Sequence, residues 1–227
     1  MSDAATISSL ATAGGTLVLA IATFSSVRSS NRSARVAERS LYAGTRPVLI
    51  PSSEEDPVGR VRFGDEHLVI VPGHGGALIA GEKAVYLAIG LRNGGAGVAV
   101  LHGWRVTTRQ AGSPNPAQRP GTADERPELA DFRRQGLDIY ITVGAPGYWI
   151  GALRDPSEAI YDEISQAAAN DALVQVDLLY GDHEGGQRTI VRFVLSPWPA
   201  DENDEDPPEG RRAYVIRYWN VDRDDPR

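Results

Sequence analysis

The chain predicts a mainly β protein: an N-terminal transmembrane helix continuing into a juxtamembrane helix, then an antiparallel immunoglobulin-like β-sandwich with one short helix. Three observations predict this. Ala4–Val27 is a run of 24 residues without a charge, followed at once by Arg28, Arg32, Arg35 and Arg39. From Arg46 onward, apolar and polar residues alternate with the two-residue period of strands. Glycine-rich turn clusters recur between the alternating segments. The expected division is a transmembrane anchor over 1–27, a basic juxtamembrane helix over 28–45 and an acidic sandwich over 46–227.

The N-terminal run is long enough to cross a bilayer but only moderately apolar. As a helix it spans roughly 36 Å, against a hydrocarbon core of about 30 Å. Eight of its residues are strongly apolar (Ile7, Leu10, Leu17, Val18, Leu19, Ile21, Phe24 and Val27), and the rest are Ala, Ser, Thr or Gly. A cleaved signal peptide is the competing reading, with Ala20-Ile21-Ala22 imitating a cleavage site, but the positive charge lies on the wrong side of the run. A plain Ala/Ser/Thr-rich tail is another. Positive charge C-terminal to the span places the following domain in the cytoplasm, making the chain a single-pass protein of the cell membrane.

Two patterns lie on this helix. Ala4, Ser8, Thr12, Thr16 and Ala20 recur every four residues, a small-residue ridge suited to helix-helix packing and hence to a homo-oligomer through the transmembrane helix. Because most of the run is small, chance also produces such a ridge. Arg28, Arg32, Arg35 and Arg39 fall within an arc of about 60° on one helical face, given 3.6 residues per turn. They are the expected contacts to lipid headgroups, the alternative being ordinary stop-transfer charges. Gly44 ends the helix, and Arg46-Pro47 forces extended backbone.

The domain that follows is acidic. With those four arginines, Asp3 and Glu38 set aside, 19 basic and 28 acidic residues remain, which excludes a nucleic-acid footprint. The chain has no cysteine, so thiolate chemistry and disulfides are excluded as well. Strands are expected over 47–51, 60–63, 67–71, 84–92, 98–109, 137–143, 148–153, 173–180, 187–195 and 213–220. Turns are expected at Gly73-His74-Gly75-Gly76, Asn93-Gly94-Gly95 and 181–186. One helix interrupts, with Asp155 as N-cap, Pro156 and Glu158 in its first turn, Ile160 and Ile164 on its apolar face, and Asn170 at its end. Residues 111–126 and 197–210 read as Pro- and charge-rich loops.

No motif commits the chain to a chemistry. Asn93-Gly94-Gly95-Ala96-Gly97 has the wrong glycine spacing for a dinucleotide loop and reads as a hairpin turn. The stretch from Gly76 to Lys83 lacks the Ser or Thr that a P-loop needs after its lysine. Asp201–Asp206 is acidic but places Asp206 and Arg212 where a calcium loop needs Gly and Glu. His183, between Asp182 and Glu184, is read as turn polarity. His102 and Trp104 are read as a core or rim pair on one strand face, and Trp149 as buried. The expectation is no catalytic residue, no cofactor and no metal.

The span, the neck Asn31–Arg39, Arg46-Pro47, the unit from Val85 through Asn93-Gly94-Gly95 to Leu101, and the ending Tyr218-Trp219-Asn220-Val221-Asp222 together carry a resemblance. The chain resembles a broad group of uncharacterised single-pass bacterial membrane proteins, actinobacterial in type. That resemblance implies a membrane-tethered sandwich and no assigned activity or site. The expected function is a protein-interaction or accessory module bound to membrane lipid and to an unidentified membrane or cytoplasmic protein, not an enzyme. The alternatives are an extracytoplasmic envelope sensor or structural domain, and an unrecognised hydrolase.

Overall fold

A computed structural model describes residues 2–109, 125–137, 139–198 and 209–224, with side chains from Gly14 onward except that of Arg109. The chain divides into two compact units, Met1–Gly44 and Thr45–Arg227.

The first unit is one helix, α1 (Ser2–Gly44). Nine alanines and the absence of proline among these 43 residues favour helical backbone, and Thr23 and Ser25 return their hydroxyls to Leu19 O and Ala22 O. The spanning role expected for this segment is not supported. Among the described residues, no helix is long and apolar enough to cross a membrane. Sixteen of the 24 residues from Ala4 to Val27 are Ala, Gly, Ser or Thr, so little strongly apolar surface is available for a spanning role. The predicted transmembrane and juxtamembrane helices are corrected accordingly. So are the resemblance to single-pass membrane proteins, the cell-membrane localisation with a cytoplasmic domain, the lipid partner and the homo-oligomer through a transmembrane helix. The envelope-facing alternative assumed the same anchor and is corrected with it.

The second unit is mainly β. Its strands are β1 (Leu49–Pro51), β2 (Gly59–Arg62), β3 (Leu68–Val71), β4 (Gly75–Ala80), β5 (Val85–Asn93) and β6 (Ala99–Arg109), then β7 (Arg133–Arg134), β8 (Tyr140–Ile141), β9 (Pro146–Leu153), β10 (Leu173–Gly181), β11 (Thr189–Ser196) and β12 (Arg211–Asn220). All paired strands run antiparallel. One layer centres on β5, with β9 on one edge and β4 followed by β1 on the other. The second layer is β12–β11–β10–β6, with β7 and β8 against β6. They meet at a corner where Arg211 and Arg212 pair Gly76 and Gly75. Pairing of β5 with β9, of β6 with β10 and of β10 with β11 follows the immunoglobulin-like order, so this part of the expectation agrees with the structure.

The core lies between the layers. Leu87, Ile89 and Leu91 of β5 face Leu101 and Trp104 of β6, Val176 and Leu178 of β10, and Phe193 of β11. Trp149 is fully buried as expected, packed edge-on to Trp104 at 5.5 Å between ring centres, with its Nε1 donating to Gln135 Oε1 at 3.2 Å. The helix α2 (Ala159–Ala169) buries Ile164 and Ala167 into this core. It starts later than predicted because Asp155 caps a preceding turn, its Oδ1 taking the Ser157 N–H at 2.9 Å. Arg211 closes the other end of α2, donating to the carbonyls of Ala167 and Ala172.

Other expectations shift for identifiable reasons. The Gly73–Gly76 turn is in part β4, where both glycines admit close backbone: Gly76 approaches Ala88 O, and Gly75 approaches Arg211 O. The strand over 137–143 contracts to β8, leaving Leu137 and Val143 exposed. Asn93–Gly97 is not a hairpin, because β5 and β6 lie in different layers. The buried Asn93 side chain holds this crossing, accepting from Val48 N–H and Gly95 N–H and donating to the carbonyls of Gly97 and Ile141.

Candidate functional site

Packed outside the β5 layer is the hairpin of β2 and β3. Alternation makes this possible: Val61, Phe63, Val69 and Val71 point inward onto Ala77, Ala84, Ala88 and Ile150, forming a second small core. Tyr86 pins the hairpin's tip. Its ring stacks on His67 with centres 4.0 Å apart, and its hydroxyl donates to Asp65 Oδ2 at 2.7 Å. That bond holds the Asp65 carboxyl below its usual range and raises the Tyr86 hydroxyl. Asp56 anchors the approach to β2, taking a two-pronged ion pair from Arg92 and the Ser53 N–H.

This placement opens a cleft of about 330 Å³ lined by Arg60, Val61, Arg62, Tyr140, Ile141, Gly147 and Tyr148. Two arginines of β2 stand on one side, and two tyrosines from β8 and β9 on the other. Glycine shapes the walls. A Cβ on Gly59 would collide with the Tyr148 hydroxyl, and one on Gly147 would lie 2.7 Å from Ile141 Cδ1. Tyr148 is half-buried, and burial, reinforced by the Asp56 carboxylate, raises its hydroxyl above the ordinary value. It therefore stays protonated, a hydrogen-bond donor, at neutral pH. Tyr140 is 64% exposed. Arg62 pairs Glu66 at 2.9 Å, with both side chains largely exposed. Such a pair is worth at most about 1 kcal/mol, so a ligand competes for that guanidinium readily.

Among the described residues, the cleft has no carboxylate, serine or threonine hydroxyl, or imidazole in its lining. What it offers is two fixed positive charges, a phenol donor and apolar contact, which is the chemistry of anion recognition.

The other polar clusters are structural. Asp177, at the centre of the outer face of the second layer, accepts from Arg192 Nε at 2.6 Å and Nη2 at 3.0 Å, with Arg105 Nη1 at 3.5 Å. The Arg192 guanidinium also lies over the Trp219 ring at 4.8 Å. The chain crosses this face after β6: Arg126 donates to Asn220 O, and Asp131 stands 3.8 Å from Arg105. Asp182 holds the β10–β11 turn, accepting from the N–H groups of Glu184 and Gly186 and from Gln187 Nε2, while His183 is exposed beside it. Asp182 and His183 therefore form no catalytic pair.

His102 and Trp104 do not share a face. The register of β6 on β10 shifts between Leu179 and Tyr180, leaving His102 as the extra residue of a bulge while Trp104 enters the core. Burial lowers the His102 imidazole below its usual value. Among the described residues no group of three or more His, Asp or Glu side chains is placed to hold a metal ion.

The residues singled out on α1 belong to the first unit. Arg28, Arg32, Arg35 and Arg39 are exposed on α1, as are Thr16 and Ala20. The side chains of Ala4, Ser8 and Thr12 lie outside the described residues, as does the acidic segment 201–206. The headgroup role rested on the spanning helix and loses its basis with it. The cleft itself escapes sequence reasoning because it joins three separate segments. The one available signal was Arg60-x-Arg62 within a predicted strand.

Comparison with protein-family models, with curated proteins and with solved structures finds no match to this chain.

Proposed function

We propose that residues 45–227 form a non-enzymatic binding module that takes an anionic ligand in the cleft between β2, β8 and β9. The observation carrying this reading is the pairing of Arg60 and Arg62 with Tyr140 and Tyr148 around one cleft that has, among the described residues, no acidic residue in its lining. In a domain with a large excess of acidic residues, such a lining is a local reversal of charge. Its groups bind and orient; none is an acid, base or nucleophile poised for turnover near neutral pH.

Calorimetric titration of the full chain with hexaglutamate and with a dextran sulfate oligosaccharide tests the reading. Charge-assisted hydrogen bonds contribute about 1.5–3 kcal/mol each, so Arg60→Gln with Arg62→Gln should weaken binding at least tenfold. Both positions are exposed, and the variant should keep the unfolding midpoint of the parent. Equal affinity of parent and variant for both polyanions would remove the cleft from consideration.

A further inference from the structure

The identity of the ligand follows from the backbone of β2, on the assumption that the cleft is an anion site as proposed above. β2 pairs β3 and, among the described residues, no other strand. The Phe63 N–H donates to His67 O at 2.8 Å on the β3 side. Backbone groups alternate sides along a strand, so Val61 and Gly59 also face β3. Arg60 and Arg62 then present their N–H and C=O groups to the opposite edge. The cleft is lined by β2, β8 and β9 but by no residue of β3, so it lies along that opposite edge. A row of donors and acceptors without a strand partner among the described residues therefore faces an open cleft.

Side-chain direction fits the same occupant. Arg60 and Arg62 are both exposed and Val61 is buried, so the two guanidiniums stand on one face of the strand. Alternate side chains of a strand recur about every 7 Å. An added antiparallel strand has the same period and carries carboxylates opposite both arginines when they sit on alternate residues. Directly opposed charges across a strand pair are favourable, and like charges are not. The arginines thus disfavour a second copy of β2 on this edge while admitting an acidic strand.

We infer that the cleft binds an extended acidic peptide by strand addition to β2, with carboxylates two residues apart meeting Arg60 and Arg62. Main-chain hydrogen bonds to Arg60 and Arg62 supply the affinity, and the spacing of the carboxylates supplies the selection.

The experiment is fluorescence anisotropy of the full chain with three labelled ten-residue peptides of one composition. The first has a Thr-Glu-Val-Glu-Thr centre, the second the same residues with both glutamates adjacent, and the third repeats the first with N-methyl groups on alternate central amides. The first should bind. The second should be at least fivefold weaker, the third should bind weakly because its N-methyl groups are set on the amides that face β2, and Arg60→Gln with Arg62→Gln should abolish the difference between the first two while the third stays weaker. Equal, arginine-dependent binding of all three peptides, or arginine-dependent binding of dextran sulfate without any peptide, overturns strand addition and leaves the anion site standing. Failure of every peptide and of dextran sulfate overturns both.

Discussion

Replacing Asp177 by Asn removes one charge at nearly constant volume from the outer face of the second layer. Asp177 is 1% exposed, and the Arg192 side chain bonded to it through two nitrogens is 3% exposed. An asparagine there leaves the Arg192 guanidinium buried without its anion and aims an amide donor at a donor. Breaking a buried ion pair from one side costs about 3–5 kcal/mol. The Trp219 face, 4.8 Å from the guanidinium, remains as partial compensation, a contact worth up to about 2 kcal/mol when desolvated. A net loss near 3 kcal/mol is expected, which lowers the melting temperature of a domain this size by about 6–12 °C. Urea unfolding followed by tryptophan fluorescence measures it, since all four tryptophans lie beyond Gly44. Asp177→Leu with Arg192→Met removes both charges and should recover most of the loss. A loss below about 1 kcal/mol in Asp177→Asn, or a double variant as unstable as the single one, would refute the assignment of this pair to a desolvated site.

Three further outcomes are expected. Asn93→Ala deletes the side chain that serves Val48, Gly95, Gly97 and Ile141; buried partners left unpaired should cost about 2–4 kcal/mol in urea unfolding. Gly59→Ala first meets the end of the Tyr148 side chain and displaces it, so affinity for hexaglutamate should fall severalfold while the urea midpoint moves little. The pH dependence has two limbs. Hydrogen bonds from Arg92, Arg133 and Arg188 depress the Asp56, Glu158 and Asp222 carboxyls, and burial depresses the His102 imidazole. Groups depressed in the folded state stabilise it above their unfolded values. Stability should therefore begin to fall below about pH 6.5 through His102 and fall further below about pH 4.5 through the carboxylates. Tyr218 is raised by burial to about 12, so stability should also decline from about pH 10 upward. A urea midpoint unchanged from pH 7 to pH 3 contradicts the acid limb.

Much of the sandwich is written in local pattern. Val85, Leu87, Ile89 and Leu91 alternate because they enter the core between the layers while Tyr86 and Ala88 face the β2–β3 hairpin, and the turn at 181–186 joins β10 to β11 with Asp182 holding its amides. Elements whose sequence was decided by distant backbone were less legible. Gly75 and Gly76 look like a turn, yet they are glycine because Arg211 O and Ala88 O press on them from other strands. The bulge at His102 is set by the register of β10, which no local period reveals. The N-terminal segment shows the opposite error. Its helical backbone was legible, but eight strongly apolar residues diluted by sixteen Ala, Gly, Ser and Thr do not support the role assigned to it, and among the described residues no helix is long and apolar enough to cross a membrane. The cleft was the least legible feature, because Arg60, Tyr140 and Tyr148 become neighbours only when the β2–β3 hairpin folds back over β5 and β9.

Hydrogen exchange at two backbone amides tests the central claim most directly. The N–H groups of Arg60 and Arg62 face the edge of β2 that β3 leaves unpaired, whereas that of Val61 faces β3. In the full chain alone, Arg60 and Arg62 should exchange rapidly and Val61 slowly. Saturation with the alternating Glu peptide should slow exchange at Arg60 and Arg62 at least tenfold and leave the distant β10 amides unchanged. Bound peptide with no added protection at either arginine amide would contradict strand addition, and slow exchange at both amides before any peptide is added would contradict the open edge itself.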